Sequence, residues 1–194
     1  MKIKYLNKLL IIFSIIIFPT CNQKSKDQIN HEEHENQVKI IIEKTEAENV
    51  NLNVTNQFVS FGTDTMIKIE LKNFVQTPRL ILYFSSNTCS PCIEHTIELI
   101  EKLFPDYKRD EKIVFMSQDY PTRYRNNCYG KKLLILEYLK LGLPLEKSIQ
   151  PPFFLIINDK LKITHIHIVN KNDFGRTEEF LNKVYDRFHQ YFID

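Results

Sequence analysis

An α/β fold with a mixed central sheet flanked by helices is what this sequence predicts, and three observations predict it. The apolar run Leu80-Ile81-Leu82-Tyr83-Phe84 is followed by an apolar set at helical spacing (Ile93, Ile97, Ile100, Phe104) and then by a second run, Ile113-Val114-Phe115-Met116. Strand, helix and buried strand in that order imply a right-handed parallel βαβ unit. Two later runs, Phe153 to Ile157 and Leu161 to Val169, are separated by Asn158-Asp159-Lys160 and read as an antiparallel hairpin. Third, Leu181, Val184, Tyr185, Phe188 and Phe192 fall on one face of a closing helix over residues 177–192.

At 194 residues the chain is long enough for one domain with a proper core. Its first residues stand apart. Lys2, Lys4 and Lys8 precede ten apolar or small residues from Leu9 to Phe18, then Pro19-Thr20-Cys21, a basic n-region and an h-region too short to span a bilayer. Residues 1–20 are therefore expected to be a signal peptide, which makes the rest an exported chain. The net charge of +2 falls close to zero once those three lysines are removed, and no basic block interleaved with aromatics is present. Nucleic acid is excluded as a partner on that ground.

Residues 21–37 are polar and without periodicity, and read as a solvated, flexible tether; His31 and His34 among its glutamates are given no metal role. The domain is expected to fill residues 38–194. Within it, residues 38–72 supply strand-like pieces at Val38 to Ile42, Gln57 to Phe61 and Met66 to Leu71, an N-terminal β extension. Between the second core strand and the hairpin, the spacing predicts a helix over Lys131 to Leu141, closed by Gly142 and Pro144.

The chemistry sits between the first core strand and its helix. Ser85-Ser86-Asn87-Thr88 breaks the strand, Cys89 falls at the strand-to-helix turn, and Cys92 lies one helical turn on, close enough for the two sulfurs to bond. A helix N-terminus favours a thiolate over a thiol, and Pro91 suits the first turn, where its missing N–H costs nothing. Cys89 is thus the nucleophile and Cys92 the resolving thiol that attacks a mixed disulfide on Cys89. Zinc or Cu(I) binding and an inert structural bridge are the competing readings of the pair. A tetrahedral zinc site wants four ligands, and no second CxxC lies nearby. His95 reads as a surface residue of the helix, His165 and His167 as the exposed polar face of an edge strand, and Cys128 as a buried core cysteine rather than a second resolving thiol.

The residues Phe84-Ser85-Ser86-Asn87-Thr88-Cys89-Ser90-Pro91-Cys92, with Gln150-Pro151-Pro152-Phe153-Phe154-Leu155-Ile156 downstream, resemble the thioredoxin superfamily. Within it they are most similar to the envelope thiol–disulfide oxidoreductases of the TlpA/ResA type. The resemblance covers residues 66–193 and implies a thioredoxin-like fold with added N-terminal strands. It implies a cis-proline at Pro151, with Gln150 before it facing the CxxC and binding substrate backbone; a one-residue shift would choose Pro152. It also implies no cofactor beyond the redox-active Cys89–Cys92 disulfide, protein substrates carrying thiols or disulfides, and a membrane-linked electron donor. The start of the chain resembles a bacterial lipoprotein signal, in which Cys21 would be lipidated and anchor the domain to a membrane of the cell envelope, facing the periplasm. A non-enzymatic metal-assembly or adaptor protein on the same fold is the alternative function. One departure is plain: the buried carboxylate that many such proteins place six residues before the first cysteine is here Tyr83.

Overall fold

The computed structural model describes residues 26–61, 64–85, 87–117, 128–138, 140–147 and 151–190. The signal segment, Cys21 and Gln150 lie outside them. By contact density the chain divides into two units, Met1–Ile41 and Ile42–Asp194. None of the described helices is long and apolar enough to cross a membrane.

The first helix, α1 (Lys26–Asn49), overturns two expectations, because it takes in most of the tether and the strand expected at Val38 to Ile42. Its N-terminal part has no apolar stripe, and Ile40 and Ile41 are more than 60% exposed, at 63% and 62%. What favours helix there is composition, Glu, Lys, Gln and Ala being good formers, together with the i,i+4 pairs His31–Glu35 (3.6 Å) and Lys44–Glu48 (3.9 Å). The β-branched run at Ile40–Ile42 is too short to overcome that background. The β extension consequently begins later, with β1 (Phe58–Phe61) and β2 (Asp64–Glu70), followed by a single helical turn α2 (Leu71–Phe74).

The core follows the expected order except at β5, where the sequence predicts a helix: β3 (Arg79–Phe84), α3 (Ser90–Leu103), β4 (Ile113–Ser117), β5 (Leu133–Leu136), a 3-10 turn at Pro144–Lys147, β6 (Phe153–Ile157), β7 (Ile163–Ile168) and α4 (Phe174–Gln190). Among the described residues, seven strands form one sheet in the order β2-β1-β5-β4-β3-β6-β7. β3 is parallel to β4, with Leu80 opposite Ile113, and antiparallel to β6, with Tyr83 opposite Phe153. β6 and β7 form the expected hairpin, its turn held by Asn158, whose side-chain oxygen accepts from the N–H groups of Lys160 and Lys162 at 3.0 Å. The four adjacent strands β4-β3-β6-β7, with the helices after β3 and after β7 packed on each other, make a thioredoxin-like fold.

β5 is the second correction. The segment read as a helix over Lys131 to Leu141 holds the strand Leu133–Leu136, parallel to β4 and antiparallel to β1. Four consecutive apolar residues suit a position between two neighbours, where both faces of the strand are covered. The segment turns at Gly142, whose φ of 85° favours glycine and whose missing Cβ would stand 2.4 Å from the Thr55 hydroxyl.

Two apolar layers sandwich the sheet. On one face α3 and α4 bury Ile93, Ile97, Ile100, Leu181 and Val184 against Leu80, Leu82 and Phe115. On the other, Ile81, Tyr83, Met116 and Leu155 are covered by Val54, Leu141, Leu143 and Leu145, with Ile42 and Val50 packed against them. Among the described residues, this second face is covered by loop, the 3-10 turn and the end of α1.

Candidate active site

β3 ends at Phe84 and the chain turns before α3. Thr88 fixes that turn: its backbone N–H donates to the Ser85 carbonyl and its hydroxyl accepts from the Ser85 N–H, both at 3.0 Å, and its side chain is buried. Cys89 follows as the N-cap of α3, its carbonyl accepting from the Ile93 N–H at 3.2 Å, with Pro91 in the first turn. Cys89 is exposed and Cys92 half-buried, and both carry thiols in this structure.

The electrostatics distinguish the two sulfurs. The Cys92 thiol is held above its ordinary range by burial first, then by its hydrogen bond to Cys89 and by charge on Cys89; Lys171 pulls in the opposite direction. A thiol that keeps its proton and bonds to its neighbour stabilises negative charge on that neighbour. The sequence offered no reason to single out Lys171. It lies after β7, whose Ile168 pairs with Phe153 at the end of the sheet to which β3 delivers Cys89. Only the strand register brings it near the dithiol.

Pro151 and Pro152 enter β6 at this same end, where Phe153 stands opposite Tyr83. Pro151 is exposed; Pro152 is buried and its carbonyl accepts from the Val169 N–H at 3.0 Å. All peptide bonds among the described residues are trans, so the bond between Pro151 and Pro152 is not the cis bond of the one-residue shift. The bond from Gln150 to Pro151 lies outside them.

The remaining sequence-predicted residues sort clearly. Cys128 is buried in the core and its thiol is pushed up to about 12 by that burial, as suits an inert core cysteine. His95 is half-buried, not simply at the surface: it lies 3.2 Å from Glu98 and 4.0 Å, ring to ring, from Phe174 at the start of α4. Glu94 is exposed. His165 and His167 are not a matched exposed pair. His167 is buried, stacked on Phe180 at 4.8 Å and hydrogen-bonded to the Thr177 hydroxyl at 2.9 Å, while His165 contacts Arg187. An edge strand whose outer side is covered by α4 explains the difference. Among the described residues there is no group of three or more His, Cys, Asp or Glu side chains placed to hold a metal ion.

No family model matches the chain, and no curated protein matches it. Solved structures do. A thioredoxin-like protein from Porphyromonas gingivalis aligns at 14% identity and a TM-score of 0.47, over 72% of this chain and 93% of that one. The thioredoxin domain of a thiol-disulfide oxidoreductase from Bacteroides vulgatus aligns at 15% identity and a TM-score of 0.40, over 66% and 97%. PrxQ from Xylella fastidiosa aligns at 13% identity and a TM-score of 0.47, over 72% and 96%. The fold assignment rests on the strand order and register described above.

Proposed function

We propose that this chain is an exported thiol–disulfide oxidoreductase that reduces disulfides of envelope proteins through Cys89 and Cys92. The observation that carries the reading is the pair itself: an exposed Cys89 at a helix N-cap, with a half-buried Cys92 hydrogen-bonded to it. The Cys89 thiolate attacks one sulfur of a substrate disulfide; the old S–S bond breaks, the departing sulfur takes a proton, and a mixed disulfide forms on Cys89. Cys92 then loses its proton, attacks the Cys89 sulfur and releases the second substrate thiol, leaving the Cys89–Cys92 disulfide.

The causes that raise Cys92 explain why the second step waits for the first. Burial, the largest cause, persists in the mixed disulfide, but the hydrogen bond to Cys89 and the charge on Cys89 are lost while Lys171 remains. Cys92 is therefore easier to deprotonate at the moment its attack is needed. Pro151 and Pro152 would contact the substrate chain at the same end of the sheet, and Gln150 before them in sequence would bind its backbone. A signal in residues 1–20 and lipid on Cys21 would hold the domain at a membrane of the cell envelope, where a membrane-linked donor restores the dithiol.

Trapping tests this directly. With Cys92→Ser in the full-length chain, attack by Cys89 should leave covalent complexes with envelope proteins that are released by reductant and absent in Cys89→Ser. If neither oxidising nor reducing conditions yields such complexes, and the wild type does not reduce insulin, the oxidoreductase reading is wrong.

A further inference from the structure

Arg79 opens β3 at the end of the sheet opposite Cys89, roughly 20 Å along a six-residue strand. Its guanidinium sits 4.4 Å from the centre of the Phe74 ring, and Phe74 meets Phe61 edge-on at 5.6 Å. One guanidinium nitrogen donates to the Glu111 carbonyl. The Nε is buried and has no hydrogen-bond partner among the described residues. A buried charged donor without an acceptor is costly, so such a group calls for a missing partner.

A cavity of about 540 Å³ opens beside it. That is within the range of small-molecule sites, roughly 300–1,000 Å³. Phe61, Ile69 and Phe74 give it an apolar wall, and Arg79, Arg109 and Lys132 give it a cationic side, with Glu111 as a carboxylate in the lining. Two other lysines that line it are already engaged: Lys131 donates to the Tyr107 and Asp110 carbonyls at 2.7 and 2.8 Å, and Lys108 pairs with Glu101 at 3.2 Å. Arg109 and Lys132 are exposed and form no ion pair among the described residues.

We propose that this cavity binds a small amphiphilic carboxylate, its apolar body against Phe61 and Phe74 and its head drawn to Arg79, Arg109 and Lys132. The apolar wall argues for an amphiphile over a bare inorganic anion, which would leave that wall unfilled. The Arg79 guanidinium, with Arg109 and Lys132 on the same lining, argues for a carboxylate over a neutral polar group. The site shares no residue with the dithiol, so its occupancy is independent of the redox reading.

The probe is 4-phenylbutyrate, titrated into the isotopically labelled full-length chain and followed by amide chemical shifts. The expected result is saturable binding in the millimolar range or tighter, with shifts centred on Phe74, Arg79, Val114 and Lys131. The exposed double variant Arg109→Glu, Lys132→Glu should weaken it by about fivefold or more; both side chains are at the surface, so the fold is kept. Neutral 4-phenylbutanol should bind more weakly than the carboxylate. Absence of saturable shifts up to about 20 mM, unchanged affinity in the double variant, equal binding of the alcohol, or equal binding of inorganic phosphate would each overturn the proposal.

Discussion

Tyr83, six residues ahead of Cys89, donates a 2.6 Å hydrogen bond from its buried phenol to a carboxylate oxygen of Glu146. The same carboxylate accepts from the backbone N–H groups of Leu141 and Leu143, both at 2.8 Å. A carboxylate is thus present beyond this position after all, supplied by the 3-10 turn and reached through a phenol. Hydrogen bonds to charged groups contribute roughly 1.5–3 kcal/mol, and a buried donor left without its acceptor costs about as much again. We expect Tyr83→Phe to lower the unfolding free energy by about 1–2 kcal/mol and Glu146→Ala by more, because the latter strands two N–H groups and the phenol. The double variant should fall short of the sum of the singles, since both remove one shared bond. Denaturant titration of the four proteins reads this, and strict additivity would show that the Tyr83–Glu146 bond contributes nothing.

Lys171 acts on the resolving thiol, lowering Cys92 against the causes that raise it. Lys171 is exposed, so its effect is screened and fades with salt. Lys171→Glu should raise Cys92 further and slow the resolution of a mixed disulfide by about two- to fivefold near neutral pH and low ionic strength. Stopped-flow release of a thiol from a preformed mixed disulfide on Cys89 measures that step alone. A rate that rises with pH equally in both proteins, with no offset between them, would remove Lys171 from the mechanism.

Burial drives His167 down to about 3, with Arg176 adding to the shift. Glu46 lies 3.6 Å from its Nδ1 and would oppose this, but that carboxylate is already matched by Arg176 and the Ile168 N–H. Unfolded, the same imidazole titrates near 6.5. Between those values the unfolded chain binds a proton that the folded one does not, so stability is full above about pH 6.5 and is lost as pH falls toward 3. The loss attributable to His167 should be about 1.4 kcal/mol between pH 7.5 and 5.5. His165, also held below its ordinary value by burial and Arg187, adds in the same direction. His167→Gln should flatten most of this slope. An unchanged pH profile of stability in the variant would mean that His167 is protonated in the native state.

The elements that position the dithiol were legible because burial leaves a simple mark. β3, β4 and β6 are covered on both faces and appear as unbroken apolar runs, and α3 carries one apolar stripe. What escaped has no such mark. The first part of α1 is polar all round, so no periodicity distinguishes it from a tether. β5 is four residues long, and Leu141 beyond it completes a spacing that a helix would also show. Lys171 and Glu146 matter through tertiary placement: one reaches Cys92 only because β7 ends beside β6, the other reaches Tyr83 only because the chain turns at Gly142. Residue type fixed neither.

Glu46, near the end of α1, ties three elements together. One carboxylate oxygen accepts from the Ile168 N–H at 2.7 Å, at the end of β7, and both oxygens are engaged by the Arg176 guanidinium at the start of α4. Both side chains are largely buried, at 12% and 23% exposure, so solvent screens the pair only partly. Removing one partner leaves a poorly hydrated charge on the other, a loss that runs to about 3–5 kcal/mol for fully buried pairs and should be about 2–3 kcal/mol here. Glu46→Ala also strands the Ile168 N–H beside the loop that carries Lys171, and it leaves the Arg176 charge unopposed next to His167. We therefore expect Glu46→Ala to cost more stability than Arg176→Ala, to keep His167 neutral, and to slow mixed-disulfide resolution as Lys171 loses its fixed position. Denaturant unfolding and the stopped-flow assay on both variants check this; a Glu46→Ala protein within about 0.5 kcal/mol of wild type would show that the clamp does not hold α1 to the sheet.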